Sequence, residues 1–160
     1  MKKNKILLIG ISLLAFSFII TAQDQIKFTW TASWMTGTME KKIKIQATEG
    51  ENFIVDWGDG TSIEIRIGTG NSDVVLTYTY AEAGEYIVTI TADSEDCKFT
   101  SLDCDIFYID YSIYHIKNDI TELDLSACPN LTNLNCYGNQ LATLDVSANT
   151  VLQTLNCGWN

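Results

Sequence analysis

Apolar and polar residues alternate over short distances in the first half of the chain. Between residues 25 and 93, β-branched and aromatic residues form six short runs, several of which alternate with polar residues. The runs cover residues 26–30, 43–45, 53–57, 63–67, 74–78 and 86–90. Clusters of Gly, Asn and Asp separate them, and no stretch has a helical spacing. This pattern predicts an antiparallel β-sandwich over residues 23–95.

Two motifs in this half carry a family resemblance. The letters VDWGDGT stand at residues 55–61, and YTYAEAGEYIVTI stands at residues 78–90. Together they resemble the PKD-type (polycystic-kidney-disease-type) immunoglobulin-like domain, although Tyr78 stands where that family usually has His. The resemblance implies an Ig-like sandwich. Asp59-Gly60 and Gly84 are expected to supply left-handed turn positions, and Trp57 and Tyr86 are expected in the core.

The same turn contains two candidate calcium ligands. Asp56 and Asp59 lie three residues apart and could bind calcium. Calcium takes six to eight oxygen ligands, so two carboxylates need several backbone carbonyls beside them. We therefore interpret both residues as turn formers, with calcium as the alternative and no other cofactor expected.

The second half of the chain repeats with a period of 21 residues. Leu-Thr-Asn-Leu-Asn-Cys at residues 131–136 matches Leu-Gln-Thr-Leu-Asn-Cys at residues 152–157. Extending this step back to residue 99 gives three recurring columns: Leu102, Leu123 and Leu144; Ile113, Leu134 and Leu155; Asn118, Asn139 and Asn160. One turn cannot bury its own apolar face, so we expect the turns to stack as neighbouring strands about 4.8 Å apart.

The repeated unit LxxLxCxxNxL, followed by LDVSxN, resembles the short bacterial leucine-rich repeat. The resemblance implies a solenoid of about three turns over residues 96–160, in which a recurrent Asn bonds to the backbone of neighbouring turns. The last turn stops partway at Asn160, which we interpret as a truncated solenoid.

The repeat register gives the cysteines structural positions. Cys104, Cys136 and Cys157 are expected to face inward as small apolar side chains. Cys128 aligns with Asn149 at a turn. Cys97 lies outside the pattern, and a Cys97–Cys104 disulfide stays an alternative, whereas no CxxC spacing supports zinc or redox chemistry.

Two rows of side chains are expected to point away from the solenoid core. Asp103, Asp124 and Asp145 form an acidic row, which we interpret as a solvated face, with a site for a cation or a basic ligand as the alternative. The other row is the candidate ligand-binding surface, because in leucine-rich repeats the corresponding strands form the concave sheet where partners dock. Its members are Ser112, Tyr114, Asn133, Asn135, Thr154 and Asn156.

The N-terminal residues predict export. Lys2, Lys3 and Lys5 precede an apolar run at residues 6–20, which is typical of a signal peptide cleaved after Ala22. A membrane anchor is the alternative, but the run is shorter than the roughly 20 residues that span a bilayer. Cleavage would remove three of the ten basic residues and none of the twenty acidic ones, lowering the net charge from −10 to −13. Such a charge disfavours nucleic acid as a partner.

No catalytic constellation is evident in the sequence. The single histidine, His115, excludes the usual serine and cysteine triads away from that residue. We therefore expect a secreted or cell-surface protein that is not an enzyme and that binds an extracellular protein or glycan, as an adhesin or surface component does. The alternative is the N-terminal fragment of a secreted hydrolase, since PKD-like domains often accompany such enzymes.

Overall fold

The computed structural model describes residues 23–33, 39–61, 63–105, 107–108, 115–116 and 118–160, and in these the chain is mainly β with no helix. The strands are β1 (Gln25–Ala32), β2 (Glu40–Ala47), β3 (Asn52–Asp56), β4 (Glu64–Ile67), β5 (Val74–Thr79), β6 (Gly84–Ala92), β7 (Phe99–Asp103), β8 (Phe107–Tyr108), β9 (His115–Ile116), β10 (Ile120–Ala127), β11 (Asn133–Asn135) and β12 (Thr154–Asn156). All six strands expected before residue 95 are present as β1 to β6. The predicted signal peptide, residues 1–22, lies outside the described residues.

Ten of these strands form two five-stranded sheets. Sheet I has the order β10-β1-β6-β3-β4, and sheet II has the order β12-β11-β7-β2-β5. β8 and β9 pair separately as a small antiparallel ribbon. The predicted mainly β class is confirmed, and the two sheets are consistent with a β-sandwich.

The core follows from the alternation of side chains along the strands. In β1 every second residue is buried, beginning with Ile26 and Phe28, because successive side chains of a strand point to opposite faces. Trp30 and Trp57 stack inside, with ring centroids 6.0 Å apart. The Trp30 indole N–H donates to the hydroxyl of the buried Tyr80 at 2.7 Å, so this polar group is satisfied. Trp57 is buried as predicted, whereas Tyr86 is only half-buried at the border of the core.

Hydrogen bonding joins the two halves of the chain. β10 pairs antiparallel with β1, and β7 pairs antiparallel with β2. The buried residues of both halves belong to one apolar cluster, which includes Phe99, Leu125 and Leu134. The predicted boundary between residues 95 and 96 falls between β6 and β7, and it stays a prediction.

Three strands of sheet II run in parallel. β11 pairs with β7 on one side and with β12 on the other. In this stack Leu102 lies beside Leu134, and Leu134 lies beside Leu155. The expected column of Leu102 with Leu123 is therefore wrong, because Leu123 lies in sheet I beside Phe28.

The physical reason is an insertion in the first turn. Asn118 follows Cys104 by 14 positions, whereas Asn139 follows Cys136 by three. The additional residues include the ribbon of β8 and β9. A constant step of 21 residues therefore aligns Leu102 with Leu123, whereas its neighbour in the structure is Leu134.

The turn after β3 depends on two glycines. Gly58 and Gly60 have φ of 81° and 76°, in the left-handed region that glycine adopts without steric cost. A Cβ on Gly58 would lie 2.3 Å from the carbonyl oxygen of Ile87, so this position also requires the absence of a side chain. The expectations for Asp59 and Gly84 are wrong, since neither has a positive φ, and Gly84 begins β6 as extended backbone.

Candidate functional site

The parallel stack presents a polar surface to solvent, which we call the polar face. Its rows come from β7, β11 and β12, with inward leucines between the outward residues. The members of the polar face are Ser101, Asp103, Asn133, Asn135, Thr154 and Asn156. With Asp73, these residues line a shallow groove of about 350 Å³. All of its outward side chains offer hydrogen-bonding groups and none is aromatic.

Four of the six predicted ligand-binding residues lie in the polar face: Asn133, Asn135, Thr154 and Asn156. Ser112 and Tyr114, predicted for the first turn, lie outside the described residues. Their expected places beside β11 are taken by Ser101 and Asp103. A signal for this register was present, because Leu102-Asp103-Cys104 has the same L-x-C spacing as the two later turns.

Hydrogen bonds fix the centre of the polar face. The Asn135 amide donates from Nδ2 to Asp103 at 3.0 Å and to Asp105 at 3.3 Å. Lys44 of β2 lies 3.1 Å from Asp103 Oδ2 and compensates part of this negative charge. Asn133 and Thr154 are exposed. The groove therefore combines an ordered acidic centre with a rim that a partner can reach.

Asn139 follows β11 and Asn160 follows β12, and both bond to the backbone of the neighbouring repeat. We call this arrangement the asparagine ladder. Asn139 donates from Nδ2 to the Cys104 carbonyl at 2.9 Å and to the Cys136 carbonyl at 3.2 Å. Its Oδ1 accepts the backbone N–H of Ile120 at 3.1 Å. Asn160 repeats this arrangement one turn later, with Nδ2 at 2.9 Å from the Cys136 carbonyl. Each side chain bonds to its own turn and to the preceding one, which holds the strands in register.

The predicted acidic row does not form as one column. Asp103 lies in sheet II, whereas Asp124 lies in β10 of sheet I and, with Asp145, borders a second groove of about 460 Å³. Hydrogen bonds from Ser126 lower the pKa of Asp124, and hydrogen bonds from Ser147 lower the pKa of Asp145. Both carboxylates are therefore stabilised in their ionised form by local turns.

The two candidate calcium ligands accept hydrogen bonds from their own turn and, for Asp59, from β5. Asp56 Oδ1 accepts the backbone N–H of Gly58 at 2.9 Å. Asp59 Oδ1 accepts from the backbone and the hydroxyl of Thr61, and its Oδ2 accepts the hydroxyl proton of Tyr78. Burial acts to raise the pKa of Asp59, but the bonds from Tyr78 and Thr61 outweigh it and lower the pKa. Within the described part of the chain, no group of three or more His, Cys, Asp or Glu residues is placed to bind a metal ion.

The cysteines are free thiols. Cys104 and Cys136 are buried in the stack as predicted, and so is Cys128 at its turn. Cys157 is exposed, since no strand of the described chain pairs with the far side of β12. The alternative disulfide between Cys97 and Cys104 is not formed.

Comparison of the chain with protein-family models, with curated proteins and with solved structures gave no match. Its own geometry therefore defines its class as a mainly β protein in which two sheets share one apolar core. Among the described residues, no helix is long and apolar enough to cross a bilayer.

Proposed function

We propose that the protein is an exported, non-enzymatic binding module that contacts an extracellular protein or glycan through the polar face. The observation that carries this proposal is the side-by-side placement of Ser101, Asn133 and Thr154, and of Asp103, Asn135 and Asn156. Hydroxyls and amides on three adjacent strands offer donors and acceptors at the strand spacing of about 4.8 Å.

The chemistry of the groove supports a polar partner. Asp73 and Asp103 add carboxylate acceptors, and the exposed amide of Asn133 can both donate and accept. The amide of Asn135 is bonded to Asp103 and Asp105 and holds the acidic centre in place. Sugar hydroxyls and the backbone of a protein loop both match such a mixture. A groove of about 350 Å³ is open enough for either and lies within the size range of ligand sites.

We further propose that the first half is a PKD-like sandwich and that the parallel stack consists of leucine-rich-repeat turns. The asparagine ladder supports the second assignment, because Asn139 and Asn160 make equivalent bonds 21 residues apart. The WGDG turn with Gly58 and Gly60 in left-handed conformation supports the first.

The proposal of export rests on the signal-like segment 1–22. If this segment is cleaved after Ala22, N-terminal sequencing of the extracellular protein should begin at Gln23.

A glycan panel and a library of displayed peptides can test binding with the purified protein. Thr154→Arg places a long side chain across the rim, and Asn135→Ala removes the amide at the centre. We expect either change to weaken binding about tenfold or more. Thr79→Arg, an exposed position at the opposite edge of sheet II, is the matched control and should bind as the wild type does.

The glycan panel and the peptide library also distinguish the class of partner. Binding to oligosaccharides alone assigns a glycan, and binding to peptides alone assigns a protein. Ligands whose affinity is unchanged by both Thr154→Arg and Asn135→Ala would remove the polar face from the proposal.

A further inference from the structure

β4 is an open edge of sheet I, and its outer surface is apolar. It pairs with β3 on one side, and no described strand pairs with the other side. Ile65 and Ile67 of β4 and Ile63, which directly precedes it, are 65%, 58% and 55% exposed. Edge strands of soluble proteins commonly carry Pro or charged residues, especially Lys, which oppose pairing with another chain. Residues 63–67 contain no Lys or Pro, and their two charged residues, Glu64 and Arg66, are opposite in sign.

The hydrogen-bonding groups at this edge face outward. Gly68, which follows β4, donates its N–H to the Glu51 carbonyl at 2.8 Å and accepts from Gly50 at 3.0 Å, both beside β3. In an antiparallel strand the backbone groups of successive residues point alternately to opposite sides. The N–H and C=O groups of Ile65 and Ile67 therefore point to the open edge.

Residues 63–67 read Ile-Glu-Ile-Arg-Ile, with opposite charges placed symmetrically about Ile65. We propose that β4 pairs antiparallel with β4 of a second copy of this chain, with the two-fold axis at Ile65. Glu64 of each copy then lies opposite Arg66 of the other, and Ile63 lies opposite Ile67. Within one chain, Glu64 and Arg66 already form an ion pair at 2.5 Å, so both side chains lie close enough to exchange partners.

The charges of the chain favour self-association through β4 in the antiparallel register centred on Ile65. A net charge of −10 opposes unspecific self-association, whereas the strip of residues 63–67 is neutral and complementary to itself. Pairing also joins the isoleucine rows of both copies into one apolar surface beside Ile54, which faces outward opposite Ile65. Two strands of this length bury less than the roughly 1,200 Å² of a stable interface, so the dimer is weak and reversible.

Sedimentation velocity on the purified protein, from about 10 μM to 1 mM, measures this equilibrium. The wild type should shift from monomer to dimer over that range. Glu64→Arg alone and Arg66→Glu alone should each weaken dimerisation about tenfold or more, because like charges then oppose each other at both ends. An equimolar mixture of these two variants should regain the wild-type association, since every pair is again opposite in charge.

Two further variants complete the test. Ile65→Lys should abolish the dimer, and Val75→Lys, an exposed apolar position on β5, should leave it unchanged. Near-UV circular dichroism of each variant verifies that it is folded. A wild type that stays monomeric at 1 mM would overturn the proposal. So would a dimer that survives Ile65→Lys, or two charge variants that fail to associate when mixed.

Discussion

Asn139 bonds to two turns of the chain through one side chain. It is 7% exposed, so water cannot replace the partners that it holds. We expect Asn139→Ala to lower the free energy of unfolding by about 1–3 kcal/mol, because the Cys104 carbonyl and the Ile120 N–H lose a partner while buried. Chemical denaturation measures this. Asn133→Ala, on the exposed face, is the control and should change stability by less than about 0.5 kcal/mol.

The five thiols differ sharply in accessibility. Cys157 is exposed, whereas Cys97, Cys104, Cys128 and Cys136 are buried. We therefore expect one thiol per chain to react rapidly with a colorimetric thiol reagent at pH 8, and all five to react after denaturation. Cys157→Ser should leave no fast-reacting thiol. Rapid labelling of two or more thiols in the native protein would contradict the packing of the stack.

The buried thiols also predict how stability depends on pH. Burial raises the pKa of Cys128 to about 12 and the pKa values of Cys97 and Cys136 to about 11. The thiols of the unfolded chain ionise near pH 8.5. The stability that the neutral buried thiols contribute is therefore complete below that pH, and it is lost as the pH rises toward their pKa values in the folded protein. The free energy of unfolding should fall by up to about 1.4 kcal/mol per pH unit for each such thiol.

Denaturation between pH 8 and 10.5 measures this slope, and Cys128→Ala should make it shallower. Equal slopes in the wild type and the variant would show that Cys128 is not buried as a neutral thiol.

At the scale of elements, the strands of the first half could be predicted and the register of the stack could not. Alternating residues such as those of β1 show directly which side is buried, because one face of each strand meets the core. A constant step of 21 residues makes Ile113 the neighbour of Leu134, whereas in the structure that neighbour is Leu102. An insertion between Cys104 and Asn118 breaks the period without altering the L-x-C motif on either side of it.

Of the two glycines expected in left-handed turns, one has that conformation and the other does not. Gly60 takes the left-handed conformation expected from the Asp-Gly pair, whereas Gly84 lies inside the extended strand β6. A glycine before a strand can serve as a turn residue or as a strand residue, and only its pairing with Ala32 of β1 decides between them.

The position of a leucine within the stack determines how much it contributes to the free energy of unfolding. Leu134 of β11 is 1% exposed between two neighbours, and Leu155 of β12 is 44% exposed. We expect Leu134→Ala to cost about 2–5 kcal/mol of unfolding free energy, and Leu155→Ala to cost less than about 1 kcal/mol. Thermal or urea denaturation of the two variants compares the same chemical change at both sites. Similar losses would indicate that β11 is not central.

At the scale of the whole molecule, the stack is an extension of sheet II. β7 pairs with β2 through Ile45 and Leu102 on one edge and with β11 on the other. The polar face therefore rests on a sheet whose opposite side contributes to the common core. Two of the leucines that alternate with its outward residues, Leu102 and Leu134, are buried in that core.

β7, β11 and β12 lie side by side in parallel and present one polar face. Cross-strand nuclear Overhauser effects measured by NMR on the folded protein test it most directly. We expect effects between the backbone protons of Leu102 and Leu134 and between those of Leu134 and Leu155, as in the pairing of these strands. Effects that connect Leu134 with Ile113 and not with Leu102 would contradict the register and the polar face built on it.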